Sequence, residues 1–125
     1  RKRKKQIYDK YVEGFDTENS VLDPLRPCDK TDPLYWFSSF LTYHKDGLMR
    51  HLDAEGIQTR EFFYPLHVQP CYNGEVVSEG SFEASKMLFG CGISMPSSFE
   101  LSDEDQQYVI DCVNEFCDKR EVSSR

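Results

Sequence analysis

An α+β fold, a small and mostly antiparallel sheet with helices packed on it, is what the order of periodicities along this chain predicts. Three observations carry it. Helical apolar stripes open and close the sequence, short aromatic or β-branched runs between them are bounded by proline and glycine, and 125 residues suit one modest core. The chain is accordingly read as a single domain over residues 1–125.

Residues 3–15 open as an amphipathic helix, because Ile7, Tyr8, Tyr11, Val12 and Phe15 recur on one stripe. Residues 16–33 hold three prolines among Asp, Asn, Thr and Ser, and read as irregular chain with a short edge strand at Val21-Leu22. The aromatic run 34–43, from Leu34 to Tyr43, is the strongest strand; neither alternating face is polar, so a strand covered on both sides is expected. Asp46 is placed to cap a helix carrying Leu48, Met49 and Leu52, which stops at Gly56 in a left-handed position. Residues 57–62 follow as a second short strand. After a proline-braced segment come a helix at about 81–89 ending at Gly90, and a strand at 92–95 stopped by Pro96. The last helix is announced by Ser102 with Asp105 three residues on. Its stripe is Val109, Cys112, Val113, Phe116 and Cys117, with residues 121–125 as a frayed tail.

Charge narrows the function classes. Net charge is −7, from 15 basic and 22 acidic residues. Positions 1–5 (Arg-Lys-Arg-Lys-Lys) hold five of the basic ones, so the remainder sets 10 against 22, and this acidic body argues against nucleic acid as a partner. The basic run leads into helical periodicity and reads as a solvated first turn. Cations there oppose the helix dipole, which fits a helix continuing upstream. The chain starts on Arg1 and is expected to be a processed product or a fragment. No membrane-length apolar run, signal peptide or glycosylation sequon occurs, so a cytoplasmic location is expected. Cys28, Cys71, Cys91, Cys112 and Cys117 show no metal-type spacing and are expected to be reduced, mostly buried thiols. His44 and His51 read as surface residues, and no metal site is expected.

Residues 56–72 are the most informative stretch. Pro65 and Pro70 fix φ and remove two donors, so the chain from Tyr64 to Tyr72 is expected to be neither helix nor central strand but a stiffened loop. Arg60 offers a planar fork for a carboxylate or phosphate, His67 a restrained imidazole, Tyr64 and Tyr72 their hydroxyls. A strand-edge ion pair for Arg60 and a buried structural role for His67 explain the same residues equally well.

The chain resembles the C-terminal domain of the pyridoxal-phosphate-dependent nucleotide-sugar aminotransferases of DegT/DnrJ/StrS type. The matching pieces are Gly56-Ile57, Thr59-Arg60 and Phe63-Tyr64-Pro65-Leu66-His67-Val68-Gln69-Pro70-Cys71-Tyr72. They continue with Ser85, Gly92-Ile93-Ser94-Met95-Pro96-Ser97-Ser98, Leu101-Ser102-Asp103-Glu104-Asp105 and Tyr108-Val109-Ile110. The resemblance implies the small domain of a fold type I aminotransferase, with residues 1–15 as the linker helix from the large domain. It implies pyridoxal 5′-phosphate in the complete enzyme, glutamate as amino donor and a keto sugar on a nucleotide as acceptor. The partners implied are the N-terminal cofactor-binding domain of the same protein and, in the complete enzyme, a second copy. Arg60, Tyr64, His67 and Tyr72 would line the substrate or cofactor cleft, with Tyr64 and His67 nearest the ligand. The cofactor domain and its lysine are not in this sequence, and Lys86 has no counterpart role. No cofactor bound to this chain alone, and no activity from it, are therefore expected. The alternative is a stand-alone, non-catalytic binding or interaction module derived from that domain.

Overall fold

The computed structural model describes residues 1–15, 18, 20–72 and 80–123, the last three as helical backbone. In order these are helix α1 (Lys2–Gly14), strand β1 (Asp23–Pro24), β2 (Ser38–Leu41), α2 (Lys45–Ala54) and β3 (Arg60–Glu61). Two single turns of 3-10 helix follow (Leu66–Val68 and Pro70–Tyr72), then α3 (Glu83–Cys91), β4 (Gly92–Met95) and α4 (Asp103–Ser123). The four strands form one antiparallel sheet in the order β1-β2-β4-β3, the α+β class expected from the sequence.

β4 is the axis of the sheet. All four of its residues are buried, and it pairs with β2 from Ser38↔Met95 to Leu41↔Gly92 and with β3 at Arg60↔Ser94 and Glu61↔Ile93. Pro96, with no N–H to donate, follows it directly. This length limits the partners. The run 34–43 is strand only over Ser38–Leu41, because β4 offers four residues to pair with and Tyr35 takes φ of +50°, outside the extended region. Cover on both sides is also corrected: Ser38 and Phe40 are buried, Ser39 and Leu41 only half-buried, and Trp36 is 70% exposed. Residues 57–62 contract to Arg60–Glu61, the part facing β4. The edge strand lies two residues beyond Val21-Leu22, at Asp23–Pro24, where an outer position tolerates proline.

Phe40 and Ile93, register partners, face α1 and α4 and define the core side of the sheet. α1 presents Ile7, Tyr8, Tyr11 and Phe15 to it, as its stripe requires. Phe15 meets Phe40 edge-on at 5.1 Å, and Tyr11 stacks near Phe15 at 5.5 Å. Such pairs add about 0.5–1.5 kcal/mol each to the burial of their area. The Tyr11 hydroxyl donates to the Pro96 carbonyl at 2.8 Å, and burial raises its pKa above the usual phenol value. Fully buried Gln106 ties α4 to α1 through Nε2 and the Ile7 carbonyl at 2.7 Å.

Helix ends explain the remaining departures. α2 begins after His44, which makes no side-chain cap; Asp46 sits inside its first turn, favouring the positive end without capping it. Its C-terminus behaves as expected: Gly56 takes φ of +74°, its N–H reaches Asp53 and that of Ile57 reaches Leu52, a Schellman closure. Gly90 does not end α3, which continues to Cys91 and passes through extended Gly92 into β4 without a loop. Ser102 Oγ accepts the Asp105 N–H at 3.0 Å, capping α4, which runs to Ser123 into the stretch expected to fray; residues 124 and 125 lie outside the described residues.

The basic first turn is not simply solvated. Arg3 donates to the Leu101 carbonyl at 2.5 Å and Lys4 to that of Ser97, because the segment leading into α4 brings its carbonyls beside them. The thiols are free, but only Cys112 and Cys117 are buried; Cys28 and Cys71 are exposed, since their segments lie outside the core. Among the described residues no helix is long and apolar enough to cross a membrane.

Close approach at Gly92 supplies a test of this packing. A Cβ there would lie 2.4 Å from both the Leu88 carbonyl oxygen and the Phe62 ring. Gly92→Ala is expected to lose about 1–3 kcal/mol in urea denaturation, as overpacking does; wild-type stability would contradict the α3–β4 junction described.

Candidate functional site: a cleft on the outer face of the sheet

Alternation along the strands turns Ser39, Ser94 and Arg60 away from the core. Ser39 is paired with Ser94, and Ser94 with Arg60. The two serine hydroxyls lie 3.3 Å apart. Above this polar floor, α3 and the aromatic–proline segment enclose a cleft of about 420 Å³. Its walls are apolar: Phe37, Phe63, Leu66, Leu88 and Phe89 contribute most of them. Tyr64 meets Phe89 edge-on at 5.1 Å and Phe63 meets Phe37 at 6.4 Å, so the rings brace one another. The Arg60 guanidinium lies 5.8 Å from the Phe37 ring centre. The result is an apolar slot edged by the Arg60 guanidinium, the Glu61 carboxylate, one phenol and the serines Ser39, Ser85 and Ser94. Apolar walls with a few polar groups at the edge suit a ring-sized ligand.

Two of the four site residues expected from the sequence meet here. Arg60 and Tyr64 both line the cleft and both are exposed. His67 and Tyr72 belong to the 3-10 turns beyond it and are not among its lining residues. His67 is half-buried, stacked on Phe82 at 4.6 Å with 21° between the ring planes. Its Nε2 is buried with no hydrogen-bond partner among the described residues. Tyr72 is exposed. The proline-braced stretch is neither α-helix nor strand. Bonds from Val68 N–H to Pro65 and from Tyr72 N–H to Gln69, at 3.2 and 3.0 Å, wind it into two tight turns rather than an open loop.

Lys45 is the site-building residue that sequence reasoning missed. The first residue of α2, it is buried. Its Nζ donates to the Phe89 carbonyl at 2.8 Å, pairs with Glu61 Oε1 at 2.9 Å and lies 4.8 Å from the Phe89 ring centre. One ammonium thereby joins α2, β3 and α3 behind the cleft wall. A lysine opening a helix opposes the dipole, and that misfit was the available signal.

Other candidates carry less chemistry. Lys86 pairs with Glu83 at 3.2 Å on the exposed side of α3, and no lysine lines the cleft among the described residues. His51, expected at the surface, is half-buried between α2 and α4, with Nε2 3.0 Å from the Cys112 carbonyl. No cluster of three or more His, Cys, Asp or Glu able to hold a metal occurs among the described residues.

Comparison with known proteins places this geometry. The model of the DegT/DnrJ/EryC1/StrS aminotransferase family matches residues 1–114. The chain belongs to this family. Among curated proteins it is 30% identical over 118 residues to the dTDP-3-amino-3,4,6-trideoxy-alpha-D-glucose transaminase of Streptomyces venezuelae, covering 94% of this chain and 31% of that protein. It is 32% identical over 117 residues to the GDP-perosamine synthase of Escherichia coli O157:H7, covering 91% of this chain and 30% of that protein. Its fold superposes on the crystal structure of S. venezuelae DesV in complex with a ketimine intermediate. The TM-score there is 0.82 at 28% identity, over 92% of this chain and 31% of that one. A family aminotransferase from Brucella abortus gives 0.79 at 26% identity, over 92% and 30%. The chain thus spans just under a third of the length of these relatives.

The Lys45 junction yields a stability prediction. Lys45→Met keeps the aliphatic stem but orphans the Phe89 carbonyl, and is expected to cost about 1–3 kcal/mol in urea denaturation. Unchanged stability would show that the junction carries no weight.

Proposed function

We propose that this chain is the C-terminal part of an aminotransferase that uses pyridoxal 5′-phosphate and acts on a nucleotide-linked keto sugar, with glutamate as amino donor. Membership of the family and the printed activities of the two relatives support the reaction class. The observation that carries the reading is the character of the cleft: a guanidinium, a carboxylate, a phenol and apolar walls around about 420 Å³, with no lysine lining it among the described residues. Such a surface is one side of a site. When bound, the cofactor supplies the electron sink and carries the amino group between substrates.

The groups present fit the rim of such a site. Arg60 offers a charged fork to an anionic group of cofactor or substrate, and the Tyr64 hydroxyl a hydrogen bond to a ring substituent. His67, with its Nε2 free of described partners, and Tyr72 extend the same segment and take the flanking positions. The apolar walls exclude water from whatever lies against them. An amine able to hold the cofactor covalently comes from another part of the complete protein, and this chain by itself is inactive. The exposed Phe63, Leu66 and Met87, 80%, 69% and 46% accessible, are suited to cover by the cofactor-binding domain of the same protein. In this reading α1 is the linker helix, residues 1–125 are the small domain, and the complete enzyme is a cytoplasmic homodimer.

The test compares this chain with the complete protein, both given pyridoxal phosphate, glutamate and a nucleotide-linked keto sugar. The complete protein is expected to transfer the amino group and the chain alone to show no turnover. Turnover by the isolated chain, or a complete protein without aminotransferase activity, would overturn the reading. In the complete protein Tyr64→Phe, which removes one hydrogen bond, is expected to lower kcat/KM about three- to tenfold; an unchanged value would remove Tyr64 from the site.

A further inference from the structure

We propose that Glu61 is a prepositioned hydrogen-bond acceptor in the cleft, anchored by Lys45, and that it selects a ligand by its hydroxyl groups. Among the described residues Glu61 supplies the one carboxylate lining the cleft. The other polar side chains there are a guanidinium or neutral hydroxyls. An ionised carboxylate only accepts, with about four lone-pair positions on its two oxygens. Lys45 Nζ takes one of them, 2.9 Å from Oε1, and is the sole side-chain partner of Glu61 among the described residues. The Glu61 side chain is 50% exposed while that of Lys45 is 9% exposed, so the remaining positions stay open to a ligand.

Position and charge make this acceptor selective. A glutamate on a two-residue strand would ordinarily sample many rotamers, and fixing one costs up to about 2 kcal/mol. Lys45 has already fixed it. That ammonium is buried, donates to the Phe89 carbonyl at 2.8 Å and lies 4.8 Å from the Phe89 ring centre, and Phe89 is itself a wall of the cleft. The carboxylate is thereby tied to the α3 side, and a ligand entering the cleft meets it already oriented. Charge then decides the kind of donor. Two cations, Lys45 beside the carboxylate and Arg60 next in sequence, stand against one anion. An ammonium on the ligand would add a third positive charge, whereas a hydroxyl donates a hydrogen bond and adds none.

That the hydroxyls belong to a sugar rests on the reading above; the anchored acceptor stands on Lys45 and the cleft. The experiment is calorimetric titration of the complete protein, loaded with pyridoxal phosphate. The probes are dTDP-glucose and GDP-mannose, each set against dTDP or GDP alone. These sugars carry hydroxyls but no amine, and the ratio of dissociation constants isolates what the sugar adds. A sugar-dependent gain in affinity is expected for at least one nucleotide. E61A is expected to reduce that gain roughly tenfold, the weight of a hydrogen bond to a charged group, and E61Q, which keeps a neutral acceptor, about threefold. Affinity for the nucleotide alone is expected to stay unchanged, which a merely structural role for Glu61 would not leave so. K45M, with the carboxylate present but unanchored, is expected to reduce the gain about threefold, and E61A to cost less in that background, as coupled residues do. The double variant K45M/E61Q removes both charges and keeps the test available should a single change alter the fold. No sugar-dependent gain in the wild type, a gain that survives E61A or K45M, or an equal loss of affinity for the nucleotide alone would overturn the proposal. An active aminotransferase whose gain survives E61A sinks the Glu61 inference alone. A complete protein that loses the gain with E61A, yet in its wild-type form transfers no amino group, sinks the aminotransferase reading alone.

Discussion

Strand β4 is the constraint on which both sides of this molecule depend. Its four residues are buried, and each neighbour in the sheet hydrogen-bonds to it. Ile93 and Met95 enter the core beside Phe40, and Ser94, one residue between them, faces the cleft with Ser39. Because strand side chains alternate strictly, a slip of one residue would send serine inward and isoleucine into the cleft. The same four residues thus fix the core and the polar floor of the candidate site. Gly92 and Pro96 bound them: the first lets α3 and Phe62 approach closely, and the second removes the donor needed to continue.

The cleft is held open by aromatic rings and one buried cation. Edge-on contacts of Tyr64 with Phe89 and of Phe63 with Phe37 brace opposite walls. Lys45, fastened to both Glu61 and the Phe89 carbonyl, connects the strand that carries Arg60 to the helix that carries Phe89. This arrangement also pairs the acid next to Arg60 with a cation of another element. Arg60 and Glu61 both line the cleft, and the acid is paired with Lys45 while the guanidinium lies against the Phe37 ring.

Much of this was legible in the sequence, and the exceptions have physical reasons. Helical stripes in α1 and α4 bury the residues they named, Val12 and Phe116 only in part, because a one-turn period and a single core face select nearly the same set. Gly56, Pro96 and Ser102 end or begin elements as their backbone chemistry requires. Strand lengths were overestimated, because aromatic content measures β preference, whereas pairing length is set by the partner; four residues of β4 decided it for residues 34–43. Tyr35 at positive φ carried no local signal at all. At the site, Arg60 and Tyr64 were readable as polar groups on a braced segment. The offset of His67 and Tyr72 was not, because it follows from the two 3-10 turns that carry the chain past the cleft. Lys45 escaped because its partners are distant in sequence, one of them a main-chain carbonyl.

On the proposed reading the cleft is one side of a site whose other side lies in the rest of the enzyme. Contact between the cleft and the cofactor is the most direct measure of that claim, read from a crystal structure of the complete protein with pyridoxal phosphate bound. The account predicts Arg60 and Tyr64 facing the cofactor or its bound sugar, with Phe63 and Leu66 covered by the cofactor-binding domain. A structure in which the cleft opens onto solvent, remote from the cofactor, would contradict it.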